Sequence, residues 1–383
     1  MKKSKSFRGS ILPTILIVSV FMLVMVLAAL TYMSLDMRLY SGWHKERQTR
    51  LALKSALAIC CCDSSVFAYG DSTSIAITGD IHVNVSRRKW GFYEILTASS
   101  GPYRVKHLVG KKHESGSHAA FWLCDRNRAL SLAGKTTIDG LVYMPLNGIN
   151  YIEYGDYMFT GRKVQNMNMR ISKMDLPEVI TNADDLSKSY TTLHVGQADS
   201  LLDYHGGVII SGDDLVVSSK SSVNDIIINA RKVTVNPGFN GNLQIMCSDT
   251  VIVSHNVDLK YPSGIYVRSM SGFPYVELQH DSRVEGYVIV EGAAADLGLS
   301  HPCYRQDGSS SLVGMLYSDG SCNLAGNFSG AIYVKDCYHV LNENKYPGVL
   351  YDVHIKRNDS IAYPIALDGL YRRKIIKKIH EHE

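Results

Sequence analysis

Two adjacent carboxylates, Asp213 and Asp214 in the stretch Ser211-Gly-Asp-Asp-Leu-Val-Val-Ser218, are the residues whose spacing comes nearest to acid–base chemistry. Neighbouring carboxyl groups can divide the roles of proton donor and base when their surroundings push their pKa values apart. The same pair also fits the solvated corner between two strands. Other chemical signals are thin. Ala129-Leu-Ser-Leu-Ala-Gly-Lys-Thr136 has the spacing of a permissive phosphate-binding loop, a motif that works only where a helix begins at the Lys-Thr. The next residues, Thr137-Ile-Asp-Gly-Leu-Val-Tyr-Met-Pro145, read as strand and turn, so no nucleotide is expected. Fourteen histidines form no i, i+4 pair with a glutamate, and eight cysteines form no C-x-x-C pair, so neither a metal nor a cofactor is expected. Cys303, Cys322 and Cys337 lie close enough in sequence to support a disulfide in an oxidising compartment, or to be buried thiols.

The elements that would position these residues are mainly strands. Among 383 residues, 31 Gly and 23 Tyr with only 10 Pro and 3 Trp point to many short strands joined by turns. Forty basic residues against 36 acidic ones leave a net charge of +4, too balanced for a nucleic-acid surface. The basic patches are short, at Arg87-Arg88-Lys89 and from Arg372 to Lys378.

Residues 208–254 written in rows of eighteen fall into register. Ile209, Ile227 and Ile245 align, as do Ile210, Ile228 and Met246; Leu215, Val233 and Val251; and Val217, Val235 and Val253. A fixed period of about this length is the mark of units that cannot bury an apolar side alone and stack on their neighbours. In a parallel β-solenoid, aligned residues sit about 4.8 Å apart and form interior ladders. The expected core columns are Ile209, Ile227, Ile245 and Val217, Val235, Val253. Asp213 and Asp214 then share columns with Arg231-Lys232 and Asp249-Thr250, at an outward corner. A looser motif places a glycine two residues after an apolar one, at Gly140, Gly286, Gly314 and Gly330. The body resembles parallel β-helix proteins. Polygalacturonase-like enzymes among them carry an adjacent Asp pair, although Asn-Thr-Asp and Gly-His-Gly are missing here.

At the N-terminus, Lys2, Lys3, Lys5 and Arg8 precede an uncharged run from Ile11 to Met33, long enough to cross a bilayer. Thirteen of its residues are Ile, Leu, Val or Phe, which favour insertion by roughly 4–8 kcal/mol. Beyond it, Leu35, Leu39, Trp43 and Leu51 recur at helical spacing and no Pro occurs before Pro102, so the helix is expected to continue. The basic leader, Phe7-Arg8-Gly9-Ser10, Arg47-Gln48 and Ala52-Leu53-Lys54-Ser55-Ala56 resemble the N-terminal segment of minor pilins of the type IV pilus and of pseudopilins. That resemblance covers residues 1–60. It implies cleavage between Gly9 and Ser10 and packing of the long helix in a filament core. Thr14 stands where the family usually has Glu. A plain signal-anchor is the competing expectation.

The chain is therefore expected to be mainly β, a parallel β-solenoid (β-helix) carried on a long N-terminal transmembrane helix. Its parts are a basic cytoplasmic leader (1–10), a transmembrane helix (11–33), an amphipathic helical stalk (34–62), a β adapter (63–130), a solenoid (131–370) and a basic C-terminal tail or helical cap (371–383). The expected function is that of a non-enzymatic structural or adhesive protein of the bacterial envelope, with its N-terminus in the cytoplasm and its body periplasmic or extracellular. Expected partners are the lipid bilayer through residues 11–33, proteins of a pilus-like assembly and polysaccharide, but not nucleic acid. The alternative is a membrane-tethered carbohydrate-active enzyme, a lyase or glycoside hydrolase, using Asp213 and Asp214.

Overall fold

A computed structural model of the chain describes residues 11–62, 72–78, 81–113, 118–153, 155–178, 190–194, 208–220, 224–294, 299–365 and 371–379. The described chain is mainly β with one long apolar helix at its start. That helix, α1, runs unbroken over Ile11–Cys62, 52 residues, or about 78 Å at 1.5 Å per residue. Pro13 falls in its first turn, where a missing N–H costs no helical hydrogen bond. Polar side chains within the apolar half satisfy themselves locally: the hydroxyls of Ser19, Thr31 and Ser34 donate to the carbonyls of Leu16, Ala28 and Thr31.

The last turns of α1 lie on an antiparallel sheet of five strands, Ser72–Thr78, Ile81–Trp90, Tyr93–Ser100, Tyr103–His113 and Tyr371–Ile379, in that spatial order. Alternation of side chains across the pleat gives this sheet two buried faces. Val83, Val85, Leu96, Ala98 and Val109 pack with Ala52, Leu53, Ala56, Leu57 and Cys60 of the helix. Leu108, one residue before Val109, packs the other way with Trp90, Phe92 and Tyr93 in a second, aromatic-rich layer. The C-terminal segment was expected as a tail or helical cap, but Tyr371–Ile379 is a strand paired antiparallel with Tyr103–His113. The open edge of a sheet supplies a row of unpaired N–H and C=O groups, which outweighs a weak local preference for helix. Everything between His113 and Tyr371 is thus an insertion between two neighbouring strands.

The insertion is a stack of parallel strands. In space the order is Met169–Ile171, Leu141–Met144, Ala119–Leu123, Gly326–Leu341, Ser311–Asn323, Arg283–Glu291, Asp258–Arg268, Asn240–Val253, Asn224–Val235, Val208–Val217 and Thr191–His194. The chain enters at Ala119, on the third strand from one end, builds outward to Met169, reappears at the opposite end at Thr191 and steps back until Ile332–Val334 pairs with Phe121–Leu123. Ala119–Leu123, expected in the adapter, therefore belongs to the stack. Several strands bend and serve two faces: Asn240–Val253 pairs through Gln244–Cys247 with Asp258–Arg268 and through Thr250–Val253 with Tyr275–Leu278. With Arg283–Glu291, Ser311–Asn323 and Tyr304–Gln306 these form a closed ring of six parallel strands.

The eighteen-residue register holds in part. Ile209 pairs with Ile227, and Val217, Val235 and Val253 stand in one fully buried column. Ile245, however, pairs with Ile228, so the expected column Ile209, Ile227, Ile245 is broken. Asp225, at φ +58°, is an extra residue that shortens the period to seventeen, and Ser248 and Asp249 restore it opposite Arg231. Ile209 and Ile227 belong to the aromatic layer, whereas Ile210, Ile228 and Ile245 fill the interior. The recurrent glycine has a steric cause. Gly286, Gly314 and Gly330 are register partners with φ between +140° and +155°, and a Cβ on Gly314 would lie 1.8 Å from the Gly286 carbonyl oxygen.

Candidate functional site

Asp213 and Asp214 sit where one rung turns into the next, with their side chains 59% and 50% exposed. Arg231, one rung on, holds both. Its Nε donates to Asp213 Oδ1 at 2.9 Å, its Nη2 to Asp214 Oδ1 at 2.5 Å, and its Nη1 reaches Asp249 Oδ2 at 3.3 Å from the third rung. These contacts raise the guanidinium's pKa, with the bond to Asp213 as the main cause. Two carboxylates shared by one arginine at an exposed turn form a staple between neighbouring strands of the stack.

Clefts occur elsewhere. One of about 410 Å³ has a floor of Ser311, Val313, Asn327 and Ser329 between Arg283 and His354-Lys356. A second, of about 390 Å³, is lined by His255, Glu277, His280, Arg305 and Asp307. At its rim Ser309 Oγ lies 2.8 Å from His280 Nδ1, and His280 Nε2 lies 3.0 Å from Asp281. The sequence carried no sign of this Ser, His and Asp grouping, because the residues come from separate turns. Ser309 Oγ also accepts the Asp281 backbone N–H at 2.8 Å and donates to Asp307 at 2.7 Å. Backbone and side-chain hydrogen bonds from Ser309 hold Asp307 below the usual carboxylate range. Such bonding ties two turns together. A third cleft, of about 350 Å³, contains Arg126, Lys335, Asp319 and Asp336. Burial raises the pKa of both aspartates, yet Asp319 accepts the Gly292 and Ala293 amides at 2.8 and 3.2 Å, and Asp336 pairs with Arg128. Among the described residues no three His, Cys, Asp or Glu side chains are grouped to hold a metal.

The phosphate-loop spacing at Ala129–Thr136 is occupied by the fold itself. Asp352 accepts the Lys135 amide at 2.7 Å, Thr136 is fully buried with its hydroxyl donating to Ala133 O at 2.6 Å, and a strand, Thr137–Asp139, comes next. A carboxylate thus sits where an anion would have to bind.

The feature with the clearest functional geometry is α1. From Leu12 to Lys45 every residue is exposed, including Leu16, Phe21, Leu27 and Leu30, while Ala52, Leu53, Ala56 and Leu57 are buried on the antiparallel sheet. The helix contains an eighteen-residue window of mean hydropathy 2.7 and is long and apolar enough to cross a membrane. Gly9 and Ser10 lie outside the described residues. No protein-family model and no curated protein matches the sequence. Among solved structures the chain is similar to the competence-associated pilin ComZ from Thermus thermophilus, at 10% identity over 83% of this chain and 88% of that one, with a TM-score of 0.24.

Proposed function

We propose that this protein is a single-pass, membrane-anchored structural protein of the bacterial envelope, in which α1 carries a β-solenoid body on the outer side of the membrane. The observation that carries this reading is the division of α1: among the described residues its first half offers apolar side chains on all sides with no protein against them, and its last turns are packed on a sheet. Exposure of that many large apolar residues is costly in water and favourable in lipid. Residues 11–33 span about 35 Å, enough for the hydrocarbon core. The denser basic cluster before the helix favours retention of the N-terminus in the cytoplasm. Stacked parallel rungs with interior Ile and Val columns support the solenoid reading, since each rung buries its apolar side only against the next.

Within this class, the leader and helix support a minor pilin-like subunit. N-terminal sequencing of the chain extracted from membranes tests it: a start at Ser10 is expected, whereas an intact Met1 leaves a simple anchor. Recovery of the full-length chain in the soluble fraction after cell breakage would overturn the anchoring itself.

A further inference from the structure

The stack of parallel strands brings two cysteines of the sequence together. Cys322 and Cys337 are Cα register partners on the adjacent strands Ser311–Asn323 and Gly326–Leu341, and both are fully buried in the same core. Neighbouring strands are about 4.8 Å apart, inside the range of about 4.4–6.8 Å between Cα atoms that a disulfide spans. Both are free thiols in this structure, and their side chains enter the same interior core.

Cys303 is nearby but placed differently. Tyr304, not Cys303, is the register partner of Cys322, and the Cys303 amide donates to Ser321 O at 2.8 Å. Its Sγ fills the space above Gly320, where a Cβ would lie 2.1 Å from it.

We propose that Cys322 and Cys337 are a disulfide-forming site that closes while the chain folds, with Cys303 left as a thiol. The proposal rests on the reading that the body lies outside the cytoplasm, where disulfides persist. The chemistry needs an incoming disulfide, either a thiol–disulfide oxidoreductase or a small-molecule disulfide such as oxidised glutathione. One cysteine, as thiolate, attacks a sulfur of that disulfide and expels one thiol. The second then attacks the mixed disulfide and expels the other, so the protein loses two protons and two electrons and the incoming disulfide becomes two thiols. Timing is set by burial. Desolvation raises the thiol pKa of Cys322 and Cys337 well above its ordinary value, and that of Cys303 to about 11, so no thiolate is offered once the stack has closed. Oxidation therefore belongs to the open chain, before the rungs bury the pair.

The full-length chain, taken from membranes into denaturant with N-ethylmaleimide and digested unreduced with trypsin, provides the test. Cys303, Cys322 and Cys337 fall on separate peptides, Val284–Arg305, Gln306–Lys335 and Asp336–Lys345. The expected result is a linked pair of the second and third, lighter than their sum by two hydrogens, with the first carrying the maleimide. The same full-length chain refolded in detergent with reduced and oxidised glutathione separates the site from its location. A bond that forms on refolding but is missing from the membrane-derived chain supports the site and sinks the extracytoplasmic reading. Maleimide on both Cys322 and Cys337 in both preparations, or a linkage through Cys303, overturns the proposal.

Discussion

The antiparallel sheet and the parallel stack show how the same alternation of side chains serves two different jobs. In the sheet, Ile81–Trp90, Tyr93–Ser100 and Tyr103–His113 follow one another through tight turns, as where Trp90 pairs with Tyr93, and the burial of Ile81–Trp90 alternates along most of its length. In the stack, Asn240–Val253 has seven consecutive buried residues, because one side faces the interior and the other faces the aromatic layer. That layer joins the two regions. Phe92 stacks edge-on against Tyr266 and Tyr287, at centroid distances of 4.9 and 5.4 Å, and its amide donates to the Tyr287 hydroxyl. Tyr287 in turn bonds Gln244, a fully buried amide inside the stack. The contrast teaches that the sheet is a two-sided adapter, helix on one face and stack on the other, whereas the stack supports itself rung by rung.

The largest effect should come from breaking the stack alone. Gly314→Val places a side chain against the Gly286 carbonyl in a backbone region that valine avoids, and is expected to cost more than about 4 kcal/mol. Loss of protease resistance between residues 208 and 365 would report it, and a stably folded variant would refute the steric account of the glycine column. Next in size, Leu53→Ala empties the seat of α1 and is expected to cost about 2–5 kcal/mol. Hydrogen exchange should rise in Ile81–Trp90 and Tyr93–Ser100 while staying unchanged in Asn224–Val253. Equal loosening of both regions would show that they are one cooperative unit.

The junction between the regions should respond to acid. His118, buried beside Tyr363 with ring centroids 5.4 Å apart, has its pKa lowered from 6.5 to about 4, first by burial and then by Arg357. The unfolded chain takes up this proton at higher pH than the folded one does. Stability from His118 is thus fully present above about pH 6.5 and falls as pH drops towards 4. Denaturant midpoints measured across that window should fall in the natural chain and fall less in His118→Gln. The smallest effect is expected at the exposed corner: Asp213→Asn with Asp214→Asn should change stability by no more than about 1 kcal/mol in thermal melts at low salt. A larger loss would mean that the Arg231 staple holds rungs together in earnest.

Much of the local architecture was readable in the residues. The apolar run and its helical continuation foretold α1, the spacing of Val217, Val235 and Val253 foretold a column, and the repeated glycine marked a backbone position before its steric cause was visible. The misreading of Ile245 has a definite origin, since a bulge at Asp225 and its compensation at Ser248 and Asp249 cancel over one full rung and leave no trace in the eighteen-residue period. A sign was present in the doublets Ile209-Ile210 and Ile227-Ile228, because adjacent apolar residues in a strand mean that both faces are covered. The cover of the second face could not be named from spacing. The His280, Asp281, Asp307 and Ser309 cluster was equally hidden, being assembled from turns one rung apart.

By itself the sequence determined the parts that depend on nearest neighbours along the chain: a helix that carries apolar residues far beyond what its seat can bury, strands with their pleat, and rungs that must stack. Only the tertiary structure decided that the stack is inserted between two strands of another sheet, that Tyr371–Ile379 returns to pair with that sheet, and that the chain enters the stack at an inner strand near one end. The reason is physical. Periodicity reports which side of a segment shuns water, and it is silent about which distant segment will supply the cover.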